Sequence, residues 1–356
     1  MREGGFDVVI GNPPFVENTP RNVTYSLPVG QYATVSCGNL YALVTERCFD
    51  LTSYAGRFSF IMPSASLCTP RMSTLFDGVM GTYSFCSISL WDERPSKLFD
   101  GVDQQLAIFV CSRSKTKTTT LFVSSMRHWS TQERESLFHL QSYINIQTTL
   151  REALVVPKIN LLMESTLLGR LRKKSSIPTI LGKRTNIYYK NAGGRYWRLI
   201  KSFPTYFSSE NGATQTSTEK TRSVSFNDVH AYVALYSSTL FYWYWRVASN
   251  CRHLTEREFD AFPLKPQSFN ASEQTILNKL GKDYETDIKR NAIRLVTQNK
   301  RSGRIEQDSY KLSSSKNLID QIDLKIGQFL GLSDSEIDFI INYDIKYRMG
   351  GADEEE

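Results

Sequence analysis

Four consecutive residues, Asn12-Pro13-Pro14-Phe15, combine types that could do chemistry on an amino group. Two successive prolines fix φ twice, remove two N–H donors and force Asn12 into extended backbone. The resulting corner is stiff and rich in free acceptors. The Asn12 side-chain oxygen and the Pro13 carbonyl can both accept from one amine, while Phe15 offers a flat face to a base. Two acceptors gripping an exocyclic amine draw its nitrogen out of conjugation with the ring. Its lone pair then attacks an electrophile as reactive as a sulfonium methyl without prior deprotonation. Standing alone, the tetrapeptide is equally a plain turn.

Its position in the chain argues for the chemistry. Asp7-Val-Val-Ile-Gly11 reads as a buried strand, and ligands gather at the carboxyl ends of strands in open α/β sheets. Downstream, Asn39 opens a helix with apolar Leu40, Leu43, Val44, Cys48 and Leu51, for which Gly56 is the expected terminator. Arg57–Met62 reads as a strand ended by Pro63, residues 70–80 as a helix, and Phe85–Trp91 and Gln104–Ser112 as strands. This alternation predicts an α/β fold with a mostly parallel sheet, the last two strands forming an antiparallel edge pair.

From Lys115 the pattern changes. Helices are expected over residues 130–144 and 157–174, and a hairpin over 185–200 turning at Ala192-Gly-Gly194. A Ser/Thr/Asn-rich loop is expected over 205–223, and a one-sided buried helix over 228–248. Residues 271–350 read as mostly helical with a break at Arg301-Ser-Gly303. Lys190, Arg195, Arg198 and Lys201 flank the hairpin turn and are candidates for phosphate or base contact.

The motifs resemble, in order, those of adenine-N6 DNA methyltransferases, nearest to the TaqI-like and Eco57I-like restriction-modification methylases. The resemblance rests on Asp7–Phe15, Asn39-Leu-Tyr41, Gly56–Pro63 and Leu98-Phe-Asp-Gly-Val-Asp-Gln-Gln-Leu-Ala-Ile-Phe109. More weakly, Leu235–Trp245 with Leu254–Pro266 looks like part of a TaqI-like specificity domain, and Asp338–Gly350 like an Eco57I-like C-terminal end. It implies that Asn12, Pro13, Pro14 and Phe15 are catalytic and that Asn12 and Pro13 hold the target N6 amine. It further implies that Phe15 stacks on a flipped adenine and Phe99 on its other face. The implied architecture is a partial Rossmann-like methyltransferase sheet over residues 1–125, a mixed α+β target-recognition domain over 126–270, and a helical C-terminal region with an acidic tail over 271–356. The implied methyl donor is S-adenosylmethionine and the implied substrate double-stranded DNA.

In this family a glycine-rich turn after an earlier strand, and an acid after the next, hold the cofactor. Neither has room before residue 7, so the cofactor site is expected to be incomplete, with a separate polypeptide or a longer reading frame supplying the other half. Two alternatives remain open: a non-catalytic DNA-binding specificity module or remnant, and an RNA guanine or protein glutamine methyltransferase. Asp344-Ile-Lys346 has nuclease-like spacing, but no upstream acid is defined for it.

Charge supports a nucleic-acid partner. Residues 1–114 hold 8 Lys and Arg against 10 Asp and Glu, residues 115–350 hold 35 against 22, and the tail from Gly351 adds four acids. The basic excess thus lies in the second part of the chain, where a phosphate-binding domain would carry it. Six cysteines without a C-x-x-C pair and four histidines argue against a zinc framework and a secreted disulfide scaffold. No signal peptide opens the sequence and the apolar run Ala231–Trp245 is too short for a membrane span, so a cytoplasmic location is expected.

Overall fold

The computed structural model describes residues 4–25, 30–114, 119–146, 156–176, 182–192, 196–212, 219–299 and 303–349. The chain forms two compact units, 1–165 with 246–250 and 355–356, and 166–245 with 251–354, where three segments were expected.

The first unit is built on a six-stranded mixed sheet. Its elements are β1 (Phe6–Gly11), α1 (Leu40–Leu51), β2 (Thr52–Pro63), α2 (Ala65–Cys68), α3 (Ser73–Thr82), β3 (Phe85–Trp91), β4 (Leu106–Ser112), β5 (Thr120–Arg127) and β6 (Ile144–Ile146). The sheet order is β1-β2-β4-β3-β5-β6. Strands β1, β2, β3 and β5 run one way, while β4 and β6 run against them. The expected antiparallel pair exists, but β4 is wedged between β2 and β3 in the sheet interior, so most neighbouring strands are antiparallel. The 92–105 connection contains no helix, and without a crossover β4 returns antiparallel alongside β3.

The structure corrects three other expectations. Strand β1 is the sheet edge and is not buried: Phe6, Val8 and Ile10 are 52%, 58% and 76% exposed. Gly56 does not end α1, whose cap is Thr52; it lies inside β2, where a Cβ would come 2.9 Å from the Phe6 carbonyl oxygen. Its missing side chain lets β1 and β2 close on one another across a register shift. The region expected as a helix over 130–144 is a 3-10 turn at Thr131–Ser136 followed by β6.

The second unit carries most of α4 (Leu162–Lys173), then β7 (Arg184–Lys190), β8 (Ile200–Lys201), β9 (Phe207–Ser209), β10 (Glu219–Ser225) and α5 (Val229–Ser237). Then come α6 (Thr239–Ala248), α7 (Glu256–Ala261), α8 (Ala271–Arg290), β11 (Ala292–Asn299), β12 (Gly303–Tyr310), α9 (Lys316–Phe329), α10 (Asp334–Ile341) and α11 (Ile345–Arg348). The hairpin expected over 185–200 forms through β7 and β8, and β10 pairs on the other side of β7. Part of the expected loop over 205–223 is therefore strand; residues 213–218 lie outside the described residues.

The aromatic run is two helices, not one. Ser238 leaves helical geometry at ψ 152°, and the Asp323 carboxylate accepts from the N–H groups of Thr239 and Leu240 at 3.0 and 3.1 Å, capping α6. Residues from Ala231 to Trp245 are buried on all sides, not on one as expected, because the run is apolar all round. Tyr236, Phe241, Phe259 and Phe262 meet at ring centroids 4.7–6.2 Å apart, forming the core of this unit. The segment read as helical over 271–350 contains the β11–β12 hairpin, to which β9 adds a third strand. Among the described residues no helix is long and apolar enough to cross a membrane.

Candidate active site at the carboxyl rim of the sheet

The four co-directional strands end at one rim, and the chain leaves it at Asn12 after β1, Ser64 after β2, Asp92 after β3 and His128 after β5. Because β4 is reversed, its entry residue Gln105 sits at the same rim. The corner expected to do chemistry is thus placed where open sheets bind ligands. Asn12 and Pro14 are exposed, Pro13 is buried, and Phe15 is half-buried. The Asn12 side chain makes no hydrogen bond to a described residue, which leaves its oxygen available. Phe15 is braced edge-on by Tyr41, with ring centroids 6.5 Å apart at 89°.

Tyr41 is positioned by the start of α1, whose cap residue Asn39 accepts from the Tyr41 N–H. Its hydroxyl points to the Met72 sulfur at 3.4 Å. Burial pushes the Tyr41 phenol well above its ordinary pKa, so it braces the site as a neutral group. Gly11 ends β1 against Phe60, whose ring lies 3.2 Å from where a Cβ would stand.

Phe99 lies in the β3–β4 connection, at the same rim and 40% exposed. Its neighbours hold it there: Leu98 packs on Trp91, Trp129 and Leu137. Arg134 donates to the Lys97 and Leu98 carbonyls at 3.4 and 3.1 Å, and Ser96 N–H donates to the Trp129 carbonyl at 3.1 Å. Lys97 pairs with Asp103, and a turn closes from Val102 N–H to the Phe99 carbonyl at 3.3 Å with Gly101 at φ 75°. An apolar ring is thus displayed to solvent on an anchored loop. The structure gives the same rim for Phe15 and Phe99, on connections that leave β1 and enter β4, two strand spacings or about 10 Å apart.

Sequence reasoning missed a buried polar cluster at this rim. Asp92 accepts from Arg246 Nη1 at 2.6 Å and from Gln105 Nε2 at 3.3 Å, with His128 Nδ1 3.4 Å away. Arg246 Nη2 also donates to the Met126 carbonyl at 3.0 Å. Burial pushes the Asp92 carboxyl up, but the charges of His128 and Arg246 outweigh it and hold its pKa down at about 2. The signals were present: Asp92-Glu93-Arg94-Pro95 follows β3 as Asn12-Pro13 follows β1, and Arg246 is a lone cation ending an apolar run.

The basic residues around the β7–β8 turn divide. Lys190 is exposed, and Arg195 lies outside the described residues together with Gly193 and Gly194. Arg198 and Lys201 are buried, contrary to their expected role as DNA contacts. The Arg198 guanidinium lies 3.5 Å from the Trp245 ring centroid. Lys201 pairs with Glu219 at 2.7 Å and donates to the Phe203 carbonyl at 2.8 Å. Arg198, Leu199, Ile200 and Lys201 are all buried, so both cations are held by partners inside this unit and not displayed beside the turn.

These residues lie within or beyond a segment that known proteins share. Residues 1–76 match the Eco57I restriction-modification methylase family. Among solved structures, the Type IIL restriction-modification enzyme MmeI in complex with DNA aligns at TM-score 0.50 and 11% identity, over 97% of this chain and 57% of that one. The likeness shows a shared fold. The chain spans little more than half the length of MmeI. Two others are too distant to bear on the fold: the Type ISP enzyme LlaBIII bound to DNA (TM-score 0.38, 9% identity, 79% of this chain, 29% of that one) and a modification subunit of a putative type I restriction enzyme from Vibrio vulnificus YJ016 (0.31, 12%, 45%, 38%). No curated protein matches the chain.

The methylase-matched segment contains the acceptor corner and its braces. The described residues do not by themselves fit S-adenosylmethionine: no glycine-rich turn follows any of their strands, and the outer side of β1 is open. Among the described residues no group of His, Cys, Asp or Glu is placed to hold a metal ion.

Proposed function

We propose that this chain is the base-gripping and DNA-recognising portion of an S-adenosylmethionine-dependent adenine-N6 DNA methyltransferase of a restriction-modification system. The observation that carries the reading is the exposed Asn12-Pro13-Pro14-Phe15 corner at the carboxyl end of β1, inside the methylase-matched segment. Asn12 Oδ1 and the Pro13 carbonyl accept from the N6 amine and free its lone pair. Phe15 and Phe99 offer faces to the extruded base, and stacking of about 1–3 kcal/mol per base offsets part of the cost of flipping it. The Asp92–Arg246–His128 cluster fixes the strand ends from which the site loops depart.

The open side of β1 supports the further reading that a cofactor-binding half docks there. Phe6, Val8 and Ile10 project from one face of an unpaired edge strand, a surface that a parallel strand and its helix would cover. That half belongs to the same polypeptide upstream or to a second one.

Product identity is the test. The chain is co-expressed with the upstream-encoded half and supplied with labelled S-adenosylmethionine in the presence of DNA, RNA and protein. Label recovered as N6-methyladenine in DNA supports the reading. Label in guanine of RNA or in glutamine would replace the substrate, and DNA binding without any transfer would leave a specificity module.

A further inference from the structure

The β11–β12 hairpin is exposed in a way that neither the sequence motifs nor the catalytic rim accounts for. Strand β12 is flanked by β11 and β9, so β11 is an edge with one side of its backbone unpaired. Every residue from Ile293 to Gln298 is exposed. Side chains alternate along a strand, so both faces of β11 are open: Ile293, Leu295 and Thr297 on one, Arg294, Val296 and Gln298 on the other. A strand that contributes so little to a core must have another use, and an uncovered apolar edge is a hazard unless something occupies it.

Charge selects the occupant. Among the described residues from Lys289 to Arg304 stand four cations, Lys289, Arg290, Arg294 and Arg304, and no acid. The nearby carboxylates are already engaged with the ribbon itself. Asp308 pairs with Arg294 at 2.6 Å, Glu306 with Arg304 at 2.7 Å, and Glu210 accepts from the Arg304 backbone N–H at 2.7 Å. Asp287 pairs with Arg290. These ion pairs are solvent-exposed on the arginine side, where phosphates compete well. The Arg294 guanidinium also lies 3.6 Å from the Tyr206 ring centroid, which holds it at the strand surface.

We propose that the β11–β12 ribbon is a second DNA-contacting element, laid into a groove of duplex DNA with its cations on the phosphates and β11 side chains toward base edges. Strand β9 pairs only with Ile305–Gln307, so the end of the hairpin at Gln298, Gly303 and Arg304 is two-stranded, a ribbon that the major groove, about 12 Å wide, admits. Thr297 and Gln298 supply hydrogen-bonding groups, and Leu295 and Val296 supply apolar contact of the kind a thymine methyl takes. The inference rests on the DNA reading of the preceding subsection and adds a site to it.

The test is fluorescence anisotropy of the full chain with duplex DNA across a salt series, comparing wild type, Val296→Glu and Arg294→Ala/Arg304→Ala. The variants sit on exposed positions, and circular dichroism melts check that they fold. At physiological salt both variants are expected to bind at least about tenfold more weakly, and the double variant to lose about two phosphates' worth of salt slope. Thr297→Cys carrying a photocrosslinker is expected to attach to DNA. Wild-type binding with unchanged variant affinity and slope would overturn the ribbon while leaving the DNA reading intact. Crosslinks to a second copy in place of DNA would overturn it too. A wild-type chain that binds no duplex would remove the DNA reading itself.

Discussion

At the residue scale, a few side chains at one rim of the sheet form the candidate site. Asn12 was legible in the sequence because two prolines after an apolar run leave little conformational choice, and the structure places it exposed at the strand's end. Asp92 was not legible as a partner of Arg246, because the two are far apart in sequence and only the sheet brings them together. Removing Asp92 leaves Arg246 buried without its carboxylate, so Asp92→Asn is expected to destabilise the fold by about 3 kcal/mol at neutral pH. Its carboxyl has a folded pKa of about 2 against an ordinary 3.8, so the ionised form is favoured by folding. That contribution is fully present above 3.8 and is lost as pH falls through about 2. Urea denaturation of wild type and Asp92→Asn from pH 6 to pH 2 should show their difference narrowing only below pH 4; a gap independent of pH would contradict the assignment. For Phe99, whose ring is exposed on an anchored loop, Phe99→Ala is expected to weaken base extrusion about tenfold or more. The fluorescence of 2-aminopurine at the target position, in the assembled enzyme, reads that directly.

At the element scale, local patterns named the strands well and their neighbours poorly. Phe85–Trp91 carries its strand signal in its own alternation and was read to the residue. The place of β4 inside the sheet depends on pairing with β2, which no local pattern encodes. In the β11–β12 hairpin Arg, Leu, Gln and Lys favour helix locally, and cross-strand pairing overrides that preference. The break between α5 and α6 is likewise a tertiary effect. Ser238 departs from the helix because Asp323, from α9, caps the next one. Asp323→Ala orphans two buried N–H groups and is expected to lower stability by about 2 kcal/mol. A thermal melt checks it, and an unchanged midpoint would mean that the cap carries no load.

At the scale of the whole molecule, composition located the basic excess after residue 115, and the structure locates one part of it on an exposed ribbon. Charge could be counted in the sequence, but its accessibility could not: Lys201 and Arg198 count as cations and lie buried, while Arg294 and Arg304 are open. The uncovered side of β1 is a property of the sheet as a unit and predicts a partner half. Ile10→Asp puts a charge on that surface where it is 76% exposed, so it should leave the melting of this chain nearly unchanged and weaken co-purification with the cofactor-binding half. The measurement that bears most directly on the account is N6-methyladenine in DNA, quantified by nucleoside mass spectrometry for the assembled enzyme with wild-type chain and with Asn12→Ala. Asn12→Ala is expected to lower methylation at least about a hundredfold, as loss of a donor or acceptor at a reacting centre does, while duplex affinity changes less than about twofold, since phosphate contacts rather than a single base contact dominate duplex affinity. Unchanged methylation in Asn12→Ala would contradict it.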